Sequence, residues 1–287
     1  MDHRLADLLK LMQLERLEMN LFRGESRDIG APQVFGGQVL GQALVAAYAT
    51  IDAQPVHSLH AYFLRRGDFT APIVYEVDCS RNGHSFTNRR VIAIQRGEQI
   101  FNMAASFQNP EDGFEHQIPM PVVVPPEELT DLNATTAEQR AKLPERLRRS
   151  FERESAFEFR QVQQFDLLNP QPAPSLQQVW FRAVDKLPDD DMLHRCLLAY
   201  VSDYHLLTSS MRPHGIAFTS NKVMVASIDH AMWFHRAARM DEWLLYSIDS
   251  PSASGARGFA RASIFKRDGT LVASTAQEGL IRVVRPS

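Results

Sequence analysis

With 287 residues, 44% of them hydrophobic and 23% charged, the chain has the material of a soluble globular protein holding two ordinary domains or one large one. Its formal net charge of -3 argues against non-specific binding to nucleic acid or to a membrane surface, so any anionic ligand needs a local basic cluster. Cys79 and Cys196 lie far apart and read as free thiols of a reducing compartment, which makes the cytoplasm the expected location.

The first stretch, MDHRLADLLKLMQLERLE, carries charges throughout and lacks the apolar core and cleavage site of a signal peptide. No run approaches the length of a membrane span, and Val283 to Ser287 does not form a peroxisomal address. Leu5, Leu8, Leu9 and Met12 recur at helical spacing, and Leu17, Met19 and Leu21 then alternate before Gly24, which predicts a short helix leading into a first strand. Gly30-Ala-Pro32 breaks that pattern. From Gln33 to Thr50 the residues are small and apolar, with Gly37, Gly41, Val45 and Tyr48 on one helical face. The glycines do not have the spacing of a nucleotide loop. Each costs a helix about 1 kcal/mol, and what it gives in return is close approach of a neighbouring backbone.

The period then changes to that of strands: His57 to Leu64, Ile73 to Cys79, Phe86 to Gln95 and Gln99 to Phe107, punctuated by Gly67, Asn82-Gly83 and Gly97. Pro110 to Pro174 is rich in proline and in charge, and reads as a connector with one or two polar helices near Glu138 to Glu154. The order of elements then repeats. Gln178 to Val184 reads as a strand, Pro188-Asp-Asp190 as a helix start, and Leu193, Leu197, Tyr200, Val201 and Tyr204 as a second buried helix face. Strands follow at Val223 to Trp233, Trp243 to Ile248, Arg257 to Phe265 and Leu271 to Val284. Val56 to Arg65 resembles Ser227 to Arg236 at a separation of about 170 residues. The expected organisation is therefore an α+β pseudo-dimer, with an N-terminal unit 1–118, a connector 119–175 and a C-terminal unit 176–287.

Several residues could carry chemistry. Asp203 falls inside the second predicted helix at the edge of its apolar stripe, where a carboxylate needs hydrogen-bond donors to offset burial. Ser227 and Gln277 lie on strands and could supply such donors. In the first half the position matching Gln277 is Ala105 or Ser106, so the halves are not expected to be chemically equivalent. His57, His60, His230 and His235 come without an HExxH motif or a Cys/His cluster, so no metal is expected. No GxSxG elbow supports a Ser-His-Asp hydrolase. Asp229-His230 could do acid-base work, but neighbours on a strand point to opposite faces. Arg65-Arg66, Arg89-Arg90, Arg257 and Arg261 could meet a phosphorylated ligand if they cluster.

These strings also carry a family likeness. Val34-Phe-Gly-Gly-Gln-Val-Leu-Gly-Gln-Ala43, His57-Ser-Leu-His-Ala-Tyr-Phe-Leu-Arg-Arg-Gly-Asp68, Gly113-Phe-Glu-His-Gln117, Ile228-Asp-His-Ala-Met-Trp-Phe-His235, Ser252-Ala-Ser-Gly-Ala-Arg-Gly258 and Gly269-Thr-Leu-Val-Ala-Ser-Thr-Ala-Gln-Glu-Gly279 together resemble bacterial acyl-CoA thioesterase II, from the first helix to Gly279. The resemblance implies a double hotdog, two tandem units each of a long helix wrapped by an antiparallel β-sheet. It implies hydrolysis of acyl-CoA to fatty acid and CoA, without a cofactor, by a water held between Asp203, Ser227 and Gln277. The departure is Ser227, where relatives commonly have Thr; the hydroxyl survives, but not the methyl that fixes its rotamer. His60, Arg65, Arg89, Arg257 and Arg261 are the expected substrate-binding residues. The expected partners are acyl-CoA and further copies of the chain, as a dimer or tetramer, with no nucleic acid and no stable membrane insertion. Two alternatives remain at this point: a hotdog-type enoyl-CoA hydratase built on Asp229-His230, and a non-catalytic acyl-CoA-binding protein.

Overall fold

A computed structural model describes residues 1–30, 33–132, 148, 154–166, 168–218, 220 and 222–284. The polar helices expected near Glu138 to Glu154 fall largely outside these residues. Helix α1 (His3–Met12) buries Leu5, Leu8, Leu11 and Met12, and Asp2 caps it by accepting the Arg4 N–H. The single strand expected next is a hairpin instead. Its arms are β1 (Glu15–Glu18), exposed along its length, and β2 (Leu21–Gly24).

Helix α2 (Gly36–Tyr48) is buried on nearly every side, as its small apolar residues require. Strands β3 (Val56–Phe63), β4 (Ile73–Asn82), β5 (Phe86–Gln95) and β6 (Glu98–Gln108) curl round it. The β5–β6 hairpin turns at Arg96-Gly97, both with positive φ, the geometry that matches the twist of the flanking strands. The second half repeats the plan with β7 (Phe157–Gln161), β8 (Gln177–Ala183), α3 (Asp191–Ser202), a short α4 (Leu206–Ser209), β9 (Val223–Ser227), β10 (Asp229–Phe234), β11 (Leu244–Ser254), β12 (Arg257–Lys266) and β13 (Leu271–Val283). Asp190 caps α3, accepting from the Met192 and Leu193 N–H groups. Among the described residues no helix is long and apolar enough to cross a membrane.

All the strands join one antiparallel sheet in the order β1-β2-β4-β5-β6-β3-β10-β13-β12-β11-β8-β7, with β9 also pairing to β13. The two halves meet along β3 and β10, the strands whose sequences resemble each other. Backbone bonds fix their correspondence: Leu64 and Arg65 both donate to the Ile100 carbonyl, as His235 and Arg236 both donate to that of Val272. The guanidinium groups agree, Arg65 donating to Gln99 O and Arg236 to Leu271 O. This is the double hotdog. The His-Ala pairs at His60 and His230, which make the strings look alike, are nevertheless one residue out of step. His60 pairs with Ala231 on the exposed outer face, whereas His230 is 1% exposed beneath the sheet.

Two features lay beyond periodicity. β7 comes from the segment read as connector and extends the second half of the sheet. The stretch through Met120, Val123 and Leu129 covers Trp180, Leu245 and Phe265 on the outer face, and Trp180 Nε1 donates to Val124 O at 2.9 Å. β8 is therefore buried on both faces and does not alternate. Inside, α2 and α3 run antiparallel in direct contact. A Cβ on Gly37 would stand 2.1 Å from the Tyr200 carbonyl oxygen, so glycine is what lets the helices touch.

Candidate active site

The contact of α2 with α3 brings opposite helix ends together. Asp203 is the C-cap of α3 rather than a residue of its middle, with φ -81° and ψ -9°. At that end the α3 carbonyls disfavour a negative charge, but the α2 N-terminus, which no side chain caps, lies against the carboxylate. A Cβ on Gly36 would be 2.6 Å from Asp203 Oδ2, and the Gly37 N–H stabilises the ionised carboxyl. The N–H groups at this site thus come from the first-half helix, whose start lies against the end of α3. Gly36 and Gly37 belong to the site, and the Phe-Gly-Gly string opening the predicted helix was their signal.

The other two groups arrive from the sheet. Gln277 Nε2 donates to Asp203 Oδ1 at 2.7 Å, and Ser227 Oγ donates to the same oxygen at 3.4 Å. Ser227 reaches it only because its strand is irregular. Ala231 pairs with Ala276 but Ser227 with Gly279, so the β9–β10 side holds one residue more than β13 does. In an unbroken strand Ser227 and His230 would face opposite sides; the extra residue at the Ile228–Asp229 bulge turns Ser227 inward beside Gln277. Ile228 remains tied on both flanks, donating to Glu278 O at 3.0 Å and accepting from Phe63 N–H at 2.9 Å. The Asp229 carboxylate accepts the Glu278 N–H at 2.6 Å, which pins the bulge. The strand expected to run unbroken from Val223 to Trp233 is thus two strands and a bulge.

Burial is the largest influence on Asp203 and raises its pKa from 3.8 to about 6; the bonds from Gln277, Gly37 and Ser227 pull the other way. Burial also drives the His230 pKa down to about 3, so its ring is neutral; Nε2 bonds Ser202 Oγ at 2.9 Å. Asp229 and His230 therefore have separate structural duties, one at the bulge and one under the sheet. Gln277 Oε1 is buried without a partner, an acceptor one amide away from the Asp203 carboxylate.

A recess of about 240 Å³ opens beside this group, lined by Gly36, Phe63, Arg65, Arg66 and Ser227 among others. Arg65 bonds Gln99 O and pairs with Glu98 at 3.0 Å, while Arg66 is exposed and touches Met224 Sδ. The remaining expected binding residues are elsewhere. Arg89 is 4% exposed and spends all five N–H donors within the chain, on Thr50 Oγ1 and O, Arg81 O, Asn88 O and Asn82 Oδ1. Arg257 pairs with Glu278 and Arg261 with Asp249, both exposed on the face opposite Gln277, whose inward partner on β12 is Ala260. His60 stands on the outer face against Trp233, ring centroids 5.3 Å apart.

Comparison with known proteins places this arrangement. The profile described as "Acyl-CoA thioesterase" matches residues 147–280, and that of "Acyl-CoA thioesterase N-terminal domain" matches residues 23–108. Acyl-CoA thioesterase 2 of Haemophilus influenzae is 44% identical, covering 97% of this chain and 98% of that protein. The chain belongs to the acyl-CoA thioesterase family. It is a thioester hydrolase. The crystal structure of an acyl-CoA thioesterase II from Mycobacterium marinum is similar at TM-score 0.79 and 45% identity, covering 96% of this chain and 98% of that one. A hotdog-fold protein from Alicyclobacillus acidocaldarius, 18% identical with TM-score 0.76 over 96% of this chain and 98% of that one, shares the thioesterase's fold.

Proposed function

We propose that the enzyme hydrolyses acyl-CoA by a water activated at Asp203, with Ser227 and Gln277 holding the carboxylate and the water. What supports this most is the pairing of Gln277 Nε2 with Asp203 Oδ1 at 2.7 Å while Gln277 Oε1 stays buried and unpaired. Nε2 orients the base, and Oε1 is placed to accept a hydrogen from the attacking water. Asp203 takes that water's proton as its oxygen bonds to the thioester carbon. The carbonyl electrons move onto oxygen, where the uncapped α2 N-terminus stabilises them, and then return to expel CoA thiolate. The thiolate takes the proton from Asp203 directly or through solvent. With its pKa near 6 the carboxyl is ionised, yet basic enough to act, at neutral pH. The acyl-CoA thiol arm enters by the recess, where Arg65 and Arg66 meet the CoA phosphates.

The hydratase alternative loses its acid-base pair, since Asp229 and His230 are held apart in structural roles. The decisive measurement is thiol release across a series of acyl-CoA lengths, alongside loss of enoyl absorbance. Enoyl consumption without thiol would make the enzyme a hydratase, and stoichiometric binding without either would make it a carrier. Single turnover in heavy-oxygen water is expected to label the fatty acid alone; label in the Asp203 carboxylate would show direct nucleophilic attack. The reading extends to a homo-oligomer, as dimer or tetramer, joined through the outer sheet face with its exposed Tyr62, Leu64, Trp233 and Phe259, and to a cytoplasmic setting that keeps Cys79 and Cys196 reduced. We further place the unit boundaries at 1–118 and 176–287, with β7 added to the second unit from the connector.

A further inference from the structure

Behind Tyr204 and His205, the residues that follow Asp203, lies a larger cavity of about 440 Å³, the size of a site for a small organic ligand. Phe157, Phe159, Phe165 and Tyr204 give it an aromatic wall. Tyr204 meets Phe35, the residue from which α2 starts, at a tilt with ring centroids 4.4 Å apart, so the cavity lies next to the group around Asp203. Such a cavity suits an aliphatic chain.

The lining also carries charge, at Arg27, Asp28, Glu154 and Arg212, and of these only Arg212 is buried. Arg212 is 4% exposed, its Nε donates to Pro174 O at 3.1 Å, and its guanidinium carbon lies 5.1 Å from the centroid of the Phe165 ring. Among the described residues no acid pairs with it, and its other four N–H groups have no bond. Burial alone pulls its pKa down, without enough force to discharge a guanidinium. Its terminal nitrogens are not sealed off, so the charge opens on the cavity, where an anion can meet it. His205 lines the same cavity with Nε2 buried and unbonded, and with φ at 67°, a conformation that a non-glycine residue keeps only under local constraint. The acids in the lining are occupied, Glu154 with His3 and Asp28 with the Gly30 N–H.

We propose that this cavity binds an aliphatic carboxylate, its methylene chain along the aromatic wall and its carboxylate on Arg212. The choice of an aliphatic ligand rests on the thioesterase reading; the anionic end rests on Arg212. A coenzyme A phosphate fits less well, because the lining sets Arg27 and Arg212 against Asp28 and Glu154 and so offers a multiple anion no net positive charge. The carboxylate has two sources, the far end of an ω-carboxylated acyl group or the free fatty acid.

The test is calorimetric titration of dodecanoate and of dodecanol into Asp203→Asn protein, so that no turnover is needed, with Arg212→Gln and Arg212→Lys added to that background. Dodecanoate is expected to bind at least about tenfold tighter than dodecanol, the Gln variant to lose that margin and the Lys variant to keep part of it. Equal binding of acid and alcohol, or full retention of acid binding in Arg212→Gln, overturns the proposal; if the Gln variant does not fold, the acid-alcohol ratio in the parent decides alone. Kinetics of the otherwise native enzyme separates the sources. A kcat/KM advantage of ω-carboxyacyl-CoA over plain acyl-CoA of equal length, lost in Arg212→Gln, assigns the substrate tail, and inhibition by dodecanoate without that advantage assigns the free acid. Failure of carboxylate binding beside normal thiol release sinks this inference alone, whereas binding without thiol release sinks the catalytic reading and leaves the cavity's ligand standing.

Discussion

The duplication gives the molecule two helix-end sites, and they differ in the sign of the charge they hold. At one, the α3 C-cap is Asp203, facing the uncapped start of α2, with Ser227 and Gln277 beside it. At the other, the α2 C-cap is Ala49, and the matching strand positions are Val56 and Ala105, all without a polar side chain. Where β12 has Ala260 opposite Gln277, β5 has Arg89 opposite Ala105, and its guanidinium fills the space with bonds to Thr50 O and its neighbours. A cation at a helix C-terminus agrees with the dipole, and the facing α3 start is already capped by Asp190. The quiet end is thus electrostatically settled. The Asp203 end keeps a buried carboxylate at a helix C-terminus, and this is the kind of local conflict on which the proposed chemistry relies.

Breaking the contrast at its most sensitive point has the largest effect. Asp203→Asn is expected to lower kcat on the order of 10²–10⁴-fold. Its melting temperature at pH 8 should be no lower than the parent's, because the ionised carboxylate is no longer buried; near-normal turnover would remove Asp203 from the mechanism. At the quiet end, Arg89→Met should cost on the order of 3 kcal/mol of stability by orphaning buried acceptors, while the folded fraction keeps its kcat. A loss of kcat measured on the folded protein would mean that the two ends are coupled. Gly37→Ala pushes the helices apart, so denaturant titration should show roughly 1–3 kcal/mol lost together with activity.

The pH profile offers a milder probe. The Asp203 pKa is raised, so the folded state favours the protonated form: its contribution to stability is complete below 3.8 and is lost as pH climbs through about 6. Activity moves the other way, and kcat/KM should rise with pH to a plateau with its midpoint near 6. A flat profile from pH 5 to 8, in roughly that window, would show that another group limits the reaction. Smallest of all, Ser227→Thr should change kcat by less than about threefold, since the hydroxyl bond to Asp203 is already long at 3.4 Å. An inactive but folded Thr variant would show that the bulge cannot hold a branched side chain.

How much of this could be read beforehand follows from what each feature depends on. Helices α2 and α3 and most strands were legible because their burial follows local periodicity, and the duplication because equivalent strands keep similar residues. Asp203, Ser227 and Gln277 were joined into one group by family likeness; periodicity alone put Asp203 inside a helix and left Ser227 and Gln277 as separate strand residues. The bulge that corrects Ser227 depends on pairing with a strand some fifty residues away. Arg89 looked like a ligand-binding arginine because five acceptors from three chain segments are invisible along one segment. The second covering layer over Trp180 was hidden for the same reason, since its residues come from a stretch without any period of its own.

The seam between β3 and β10 also has a bearing on how the chain reaches its active form. Its backbone ladder joins residues about 170 positions apart, and such long-range pairing is slow because the intervening loop must close first. Until it forms, each half presents an unpaired strand rich in apolar residues, the kind of edge that recruits foreign strands. Dilute refolding, or synthesis that lets the first half wait for the second, therefore favours active molecules, and crowded refolding favours aggregates. Because Gly36 and Asp203 come from different halves, the proposed site requires enzyme activity in a refolding mixture to follow this late closure, while helix content follows the earlier events.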